Sequence, residues 1–401
     1  MAKDLTQLQI RSLPEVFNFT DGHVHRSLDE NERKVAERLS DIFLSVERER
    51  QSEVERAYVD AFYGMYRQTI NADKTKYLFL SSASLSLEVT ANYVRMAGLD
   101  LALIEPCFDN LANMFKRHKV PLESLPDHYL EAENIDELLP TIKSKAICIV
   151  SPNNPTGITY TPEIFKKLVD FCKREHRLLI IDSSFRAYKD PDFIFDEYGL
   201  LQESGIDYIL IEDTGKTWPT KELKVSLLAV SSNIYKDVFD IYTDFLYHHS
   251  TVVVRFLTEF IKVSAADNLK TAKGVVATNR RALYQALEGS FLTPREKGFT
   301  SVAWLKITNG MRADALCALL KANGIFVLPG QHFYWNGGTD QDGNGGDCYI
   351  RVALARDTDK FNRALVRLKE VFAQVAEPEP AELGSARQFP VVGEHLAEGL
   401  S

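Results

Sequence analysis

The sequence predicts an α/β protein, with a large domain built on a mostly parallel sheet and a smaller α+β domain on its C-terminal side. Three observations carry this prediction. From about residue 75 onward, short apolar runs alternate with helical stretches. Four of those runs, AICIVS, LLIID, YILIED and LLAVSS, are dense in Ile, Leu and Val and bounded by polar or turn residues, as strands covered on both faces must be. The chain also has 401 residues, more than the roughly 250–300 that a single core fills well, so two domains are expected.

In chain order, residues 1–30 mix polar and apolar positions without a clear period. Residues 31–72 repeat apolar positions at helical spacing and predict helix, with the charge run VERERQSEVER as a solvated face. The run KYLFL opens the alternation, followed by a Ser-rich turn, the helical LEVTANYVRMAG, the run LALIE and a further helix. The four strand-like runs come next. After about residue 275 the character shifts to a helix (NRRALYQALEG), a strand (SVAWLKI), a helix (ADALCALLKANG) and a closing strand and helix (YIRVALA, FNRALVRLKEVFAQV). The large domain is thus expected at 41–275 and the small one at 276–375. The tail at 376–401 is rich in Pro, Glu, Gly and Ala and is expected to be mobile.

Composition excludes several classes. Hydrophobic residues make up 45% and charged residues 26%, ordinary for a globular chain, and no apolar run approaches the ~20 residues of a membrane span. The N-terminus lacks the basic region and apolar run of a secretory signal, so a cytoplasmic location is expected. Five scattered cysteines, odd in number and without CxxC spacing, argue for reduced thiols and against a disulfide framework or zinc site. A net charge of −9 offers no basic footprint for nucleic acid. His23 and His25 have an HxH spacing that suggests a metal, but no Cys or carboxylate cluster accompanies them at ligand spacing, so no metal is expected.

Chemistry in such sheets gathers at the carboxyl ends of strands. Those ends carry Ser82, Ala83 and Ser84, then Pro106 and Phe108, then SPNNPTG at 151–157, Asp182 in IIDSSFR, and Lys216 in IEDTGKTWPTKELK. Each piece alone has a plain reading: Lys216 as a surface lysine, Asp182 as a helix cap, Asn154 and Pro155 as a turn, Phe108 as core, Arg351 in a surface ion pair. The ordered set, however, resembles the fold-type I pyridoxal 5′-phosphate (PLP) enzymes of the class I and II aminotransferase group, over roughly residues 75–360. The resemblance implies that Lys216 carries PLP as a Schiff base, that Asp182 pairs with the ring nitrogen and that Asn154 bonds the ring hydroxyl. It also implies that Phe108 stacks on the ring and that Ser82, Ala83, Ser84, Ser184 and Lys224 hold the phosphate, the first three at a helix start where free N–H groups favour an anion. Arg351 matches the family Arg for the substrate α-carboxylate, which a guanidinium grips bidentately. The family often has Arg where Lys224 stands, and a Tyr where this chain has Phe185.

A tighter resemblance runs through TDGHVHR, PxFDN at Pro106 to Asn110, PNNPTG, the SSFR after Asp182 and the motif around Lys216. Together they resemble the PLP-dependent arginine oxidases and hydroxylases of natural-product biosynthesis. That family implies O2 as co-substrate and oxidation of L-arginine through external aldimine and quinonoid intermediates, giving 2-ketoarginine, 4-hydroxy-2-ketoarginine or a dehydroarginine product. It implies that the N-terminal segment, residues 1–40, folds over the site and brings His23 to the reacting face, and that the active form is a homodimer. A guanidinium substrate also wants carboxylates near its distal end, for which Asp213 and Asp21 are the candidates. The alternative is a conventional aminotransferase acting on arginine or another long amino acid with a 2-oxo acid acceptor. A silent PLP-fold binding protein is a third reading, which the intact set of Lys216, Asp182 and Arg351 disfavours.

Overall fold

The computed structural model describes residues 4–220, 222–295 and 300–376. From residue 377 onward, the tail expected to be mobile lies outside the described residues. The central sheet has seven strands: Thr75–Leu80, Leu101–Glu105, Leu122–Pro126, Ala146–Val150, Leu178–Asp182, Tyr208–Asp213 and Ser226–Ser231. Across the sheet, the strands beginning at Thr75, Ser226, Tyr208, Leu178, Ala146, Leu101 and Leu122 lie side by side in that order. The last five run parallel. Helices cover both faces, and every residue of Leu101–Glu105 and Ala146–Val150 is buried, as the apolar runs predict.

The run LLAVSS lies in this sheet but antiparallel to both its neighbours. The reason is the short connection from Asp213 to Ser226, which holds a turn and no crossover helix, and a parallel return needs a crossover. The strand Leu122–Pro126 was not visible in the sequence, because at the edge of the sheet its residues are mostly half-exposed and it ends in proline.

The predicted helix over 31–72 is three helices, Glu30–Glu37, Leu39–Val46 and Gln51–Met65. Arg38 leaves helical geometry at φ −93 and ψ 15, and Arg50 is extended, its N–H donating to Glu53 as a new helix starts. Within the unperiodic first 30 residues lies a further helix, Leu5–Ser12, capped by Asp4, whose carboxylate accepts the Gln7 N–H at 2.8 Å.

A second, four-stranded antiparallel sheet takes its strands in the order Leu328–Pro329, Tyr349–Ala353, Val302–Ile307 and Leu292–Pro294. The helices Lys270–Leu287 and Thr358–Ala376 pack together beside it. Trp304, Phe333, Tyr334 and Tyr349 form an aromatic cluster there that takes in the fully buried Leu5, so the N-terminal helix is anchored to this sheet. From that helix the chain continues as a strap, residues 17–25. Phe17–Asn18 pairs with Ile325–Phe326, and the strap then crosses the carboxyl ends of the large sheet. Among the described residues no helix is long and apolar enough to cross a membrane.

Candidate active site

A cavity of about 200 Å³ opens at the carboxyl ends of the strands Ala146–Val150, Leu178–Asp182 and Tyr208–Asp213. Every site residue expected from the sequence lines it except Asp21, which lies one residue from the lining at Gly22.

Lys216 sits on a turn that local bonds make rigid. Thr214 exchanges bonds with Val225, the N–H groups of Thr217 and Trp218 donate to the Thr214 carbonyl, and the Tyr188 hydroxyl donates to the Lys216 carbonyl at 2.7 Å. Gly215 is required by close approach: a Cβ there would lie 3.1 Å from the His23 ring, 3.2 Å from Lys224 and 3.3 Å from Asp213. The SPNNPTG loop closes with Gly157 at φ +75, a region that favours glycine, and presents Asn154, whose Oδ1 accepts from Arg351 Nη1 at 2.9 Å. Phe108 packs edge-on to Phe333 and under the Arg351 guanidinium. Ser82 caps the helix Ala83–Met96 by accepting the Leu85 N–H, and Ala83 and Ser84, whose N–H groups have no intrahelical acceptor at a helix start, line the cavity.

The strap supplies a second set of groups. Asp21 accepts from His23 Nδ1 and from His25 Nε2, each at 2.6 Å. The His23 Nε2 then lies 3.3 Å from Lys216 Nζ and 3.5 Å from Lys224 Nζ. Burial would raise the Asp21 carboxyl, but the bonds from His23 and His25 and the charge of Lys216 act against it and hold Asp21 far below the usual carboxylate range. A carboxylate only accepts, so His23 carries its proton on Nδ1. The positive charge of Lys216, then burial, lower the His23 pKa against the pull of Asp21, which favours the neutral ring with Nε2 as an acceptor. Burial likewise lowers Lys216, opposed by the charges of Asp213 and Asp21.

Two expected site residues are already engaged within the chain. Asp21, a candidate for a substrate guanidinium, already has each carboxylate oxygen bonded to a histidine, so its placement is that of an orienting group. Ser184, expected at the phosphate, donates from both N–H and hydroxyl to Asp182 Oδ1, at 2.9 and 2.5 Å. Asp213 keeps a free face: one oxygen accepts the Gly215 N–H at 2.9 Å and the carboxylate borders the cavity. Sequence reasoning missed Thr6 and Gln9, which reach the cavity from the helix Leu5–Ser12, and Arg356, which binds the strap. The Asp4 and Gln7 spacing, a helix-start pattern, could have revealed the first two.

Whether this cavity suits PLP is tested by Asp182. Its carboxyl is partly buried and raised mainly by desolvation, with only Ser184 donating to it among the described residues, and a ring N–H⁺ would supply the missing positive partner. Arg351, which lines the cavity, has a buried Nε without a hydrogen-bond partner among the described residues, a donor left over for a ligand. The residues present fit the cofactor.

Residues 18–368 match the family described as aminotransferase class I and II. The chain belongs to that family. It is therefore an enzyme-family chain with the aminotransferase fold, for which PLP is the expected cofactor. The Bacillus subtilis protein YugH, an aminotransferase by name, is 24% identical over 297 residues, covering 72% of this chain and 73% of that protein. The LL-diaminopimelate aminotransferase of Aquifex aeolicus is 24% identical over 267 residues, 63% of each chain. Among solved structures, MppP soaked with the product 2-ketoarginine superposes with a TM-score of 0.81 at 29% identity, covering 88% of this chain and 99% of MppP. The aspartate aminotransferase of Thermus thermophilus, bound to maleate, superposes with a TM-score of 0.75 at 14% identity, over 92% of this chain and 97% of that one, which speaks for the fold alone. This aminotransferase-family chain has no group of three or more His, Cys, Asp or Glu side chains, among the described residues, placed to hold a metal ion.

Proposed function

We propose that this chain is a PLP-dependent oxidase of L-arginine that uses O2 as electron acceptor and releases 2-ketoarginine, with hydroxylated or unsaturated ketoarginine as further products. The observation that carries the reading is the strap, which brings the Nε2 of His23 to 3.3 Å from Lys216 Nζ at a site whose fold matches MppP, a protein whose structure was obtained with 2-ketoarginine.

PLP, when bound, supplies a carbonyl for the substrate amine and a ring that draws electrons from Cα. The chain does the rest. Lys216 would attach the cofactor, Asp182 would face its ring nitrogen, Asn154 its hydroxyl and Phe108 its ring, while Ser82, Ala83, Ser84 and Lys224 would hold its phosphate. Arg351 would exchange its contacts with Thr20 and Asn154 for the substrate carboxylate, and Asp213 would face the guanidinium. Neutral His23, with Nε2 accepting from Lys216 Nζ, would aim that amine at the Cα proton it takes, and would itself accept a further proton at Nε2. The strap would exclude water from the reacting atoms. In the balanced reaction, arginine, O2 and water give 2-ketoarginine, ammonium and hydrogen peroxide. The active form in this reading is a homodimer, which sedimentation checks.

The names of the relatives favour a second reading, a conventional aminotransferase. The deciding experiment incubates the PLP-loaded protein with L-arginine in air without any 2-oxo acid and follows O2 uptake, ammonium and product mass. Repeated turnover with oxygen consumption is expected. Turnover only on addition of a 2-oxo acid, with no oxygen uptake, would overturn the oxidase reading in favour of transamination.

A further inference from the structure

The strap is fixed at both ends by backbone bonds. Phe19 N–H donates to the Phe326 carbonyl and Ala353 N–H to the Phe19 carbonyl, while His25 donates to Ala355 and accepts from Asp357. Between these ends side chains take over: Gln9 Nε2 donates to the Thr20 carbonyl at 2.8 Å, and two arginines hold the rest. Arg351 Nη2 donates to the Thr20 carbonyl. Arg356 does more: Nε donates to the Asn18 carbonyl at 2.8 Å, Nη1 to the His23 carbonyl at 2.8 Å, and Nη2 to the Asp21 carbonyl.

Arg356 is 6% exposed, and among the described residues its guanidinium has no carboxylate within ion-pair distance. Burying an unpaired cation is costly, and burial lowers its pKa, with only the more distant charge of Asp21 acting against that. A neutral side chain would fill this space at lower cost. What no neutral side chain offers is a planar fork with donors at Nε, Nη1 and Nη2, and three carbonyls of one strap converge on that fork. Two of them belong to Asp21 and His23, the pair that faces Lys216. The other arginine on the strap, Arg351, is the one whose bonds a substrate carboxylate would claim.

We propose that Arg356 is a positioning residue for the reaction: it fixes the peptide groups of Asp21 and His23, so that His23 Nε2 stays on Lys216 Nζ when Arg351 turns to the substrate. The inference rests on the roles given above to His23 and Arg351. It assigns Arg356 no contact with substrate or cofactor.

The test is a double-mutant cycle on the first half-reaction, in which PLP-loaded enzyme is mixed with L-arginine without oxygen and the visible absorbance change is timed. That half-reaction is common to an oxidase and an aminotransferase, so an incorrect electron acceptor does not affect it. Arg356→Gln is expected to slow it roughly 10- to 100-fold, the scale of a displaced reacting group, with amino-acid affinity changed by less than about threefold. In a His23→Ala background the same substitution should add almost nothing, because coupled residues are not additive. Losses that multiply in the double variant, or a wild-type rate in Arg356→Gln, would overturn the proposal.

If Arg356→Gln does not fold, Arg356→Lys keeps the charge but only one donor group and runs through the same cycle. A second readout needs no substrate: nitrogen NMR of histidine-labelled protein, with the His23 signal assigned by its loss in His23→Ala. Wild type should show one tautomer, protonated at Nδ1, and the Arg356 variants a mixture. An unchanged single tautomer would also overturn the proposal, even if arginine proves not to be the substrate.

Discussion

Replacing Asp21 with Asn tests the placement of His23 directly. The carboxylate accepts two charge-assisted bonds at 2.6 Å, one from each histidine, and bonds of this kind are worth about 1.5–3 kcal/mol each. Only the His23 bond bears on the rate, so a loss of roughly 10- to 150-fold in kcat is expected, at about 1.4 kcal/mol per factor of ten. The asparagine amide can also donate to Nδ1, which would move the proton of His23 to Nε2 and leave no acceptor facing Lys216. The pH profile carries the sign. His23 must be neutral to accept a proton, so the rate falls as pH drops through its pKa. Asp21 raises that pKa. Without the carboxylate the pKa falls further, and the acid limb should move to lower pH while the plateau drops. Initial rates with L-arginine between about pH 5 and 9, alongside cofactor affinity, provide the assay. A plateau within twofold of wild type and an unmoved acid limb would show that Asp21 does not act through His23.

Other outcomes follow from the same geometry. Lys216→Ala should lose the visible absorbance of the covalently held cofactor, and borohydride reduction should then trap no cofactor-linked peptide; a trapped peptide elsewhere in the chain would relocate the site. Asp213→Ala should weaken use of arginine by at least ~100-fold relative to an uncharged analogue of similar length, since losing one partner of a desolvated charge pair costs about 3–5 kcal/mol, and equal loss on both substrates would remove Asp213 from the guanidinium. Asp109, whose Oδ2 accepts the Leu5 N–H, is raised by burial from the ordinary 3.8 to about 6. The folded state therefore holds a proton that the unfolded chain has released between pH 4 and 6, and stability falls as pH rises through that window. Asp109→Asn should thus be more stable than wild type above pH 6, by up to about 3 kcal/mol, with the advantage gone below pH 4, and urea melts across this range would expose a pH-independent difference as a failure of the argument.

The large sheet was legible in the sequence because a strand covered on both faces needs an unbroken apolar run, and Ile147, Ile180 and Leu210 lie in such runs and are fully buried. Direction was less legible. Nothing in LLAVSS distinguishes an antiparallel strand from a parallel one, since burial is the same and only the connection differs. The edge strand at Leu122 and the helix at Leu5 escaped for a related reason: each lacks the long apolar period, and each is held by a few specific contacts, the helix by Asp4, Asp109 and the aromatic cluster around Trp304.

At the site, Lys216, Asp182 and Asn154 stood out only as an ordered set at and just beyond strand ends, which resembles a family pattern where each alone has a plainer reading. Arg356 could not, since it acts on backbone carbonyls, which every residue has. The pairing of Asp21 with two histidines was closer to readable. Asp21, His23 and His25 alternate at the two-residue period of an extended chain, which puts three side chains on one face, and a carboxylate between two imidazoles satisfies both before any distant cation arrives.

Phe185 and the strap belong to one device. Where the family pattern has a Tyr, this chain places a buried phenyl ring, and Gly22 lies directly over it: a Cβ at position 22 would sit 3.7 Å from the Phe185 ring tip. A hydroxyl there would need a partner under the strap or would hold water beneath it. The phenyl ring instead gives the strap a dry surface to lie on, and Gly215 gives His23 room to reach Lys216. The absence of the Tyr and the presence of the Asp21, Gly22 and His23 sequence are then the same adaptation seen from two sides. The strap can be a lasting wall of the site only if what it rests on does not compete for water, and in the proposed oxidase reading that wall would keep solvent from the reacting atoms until O2 accepts the electrons.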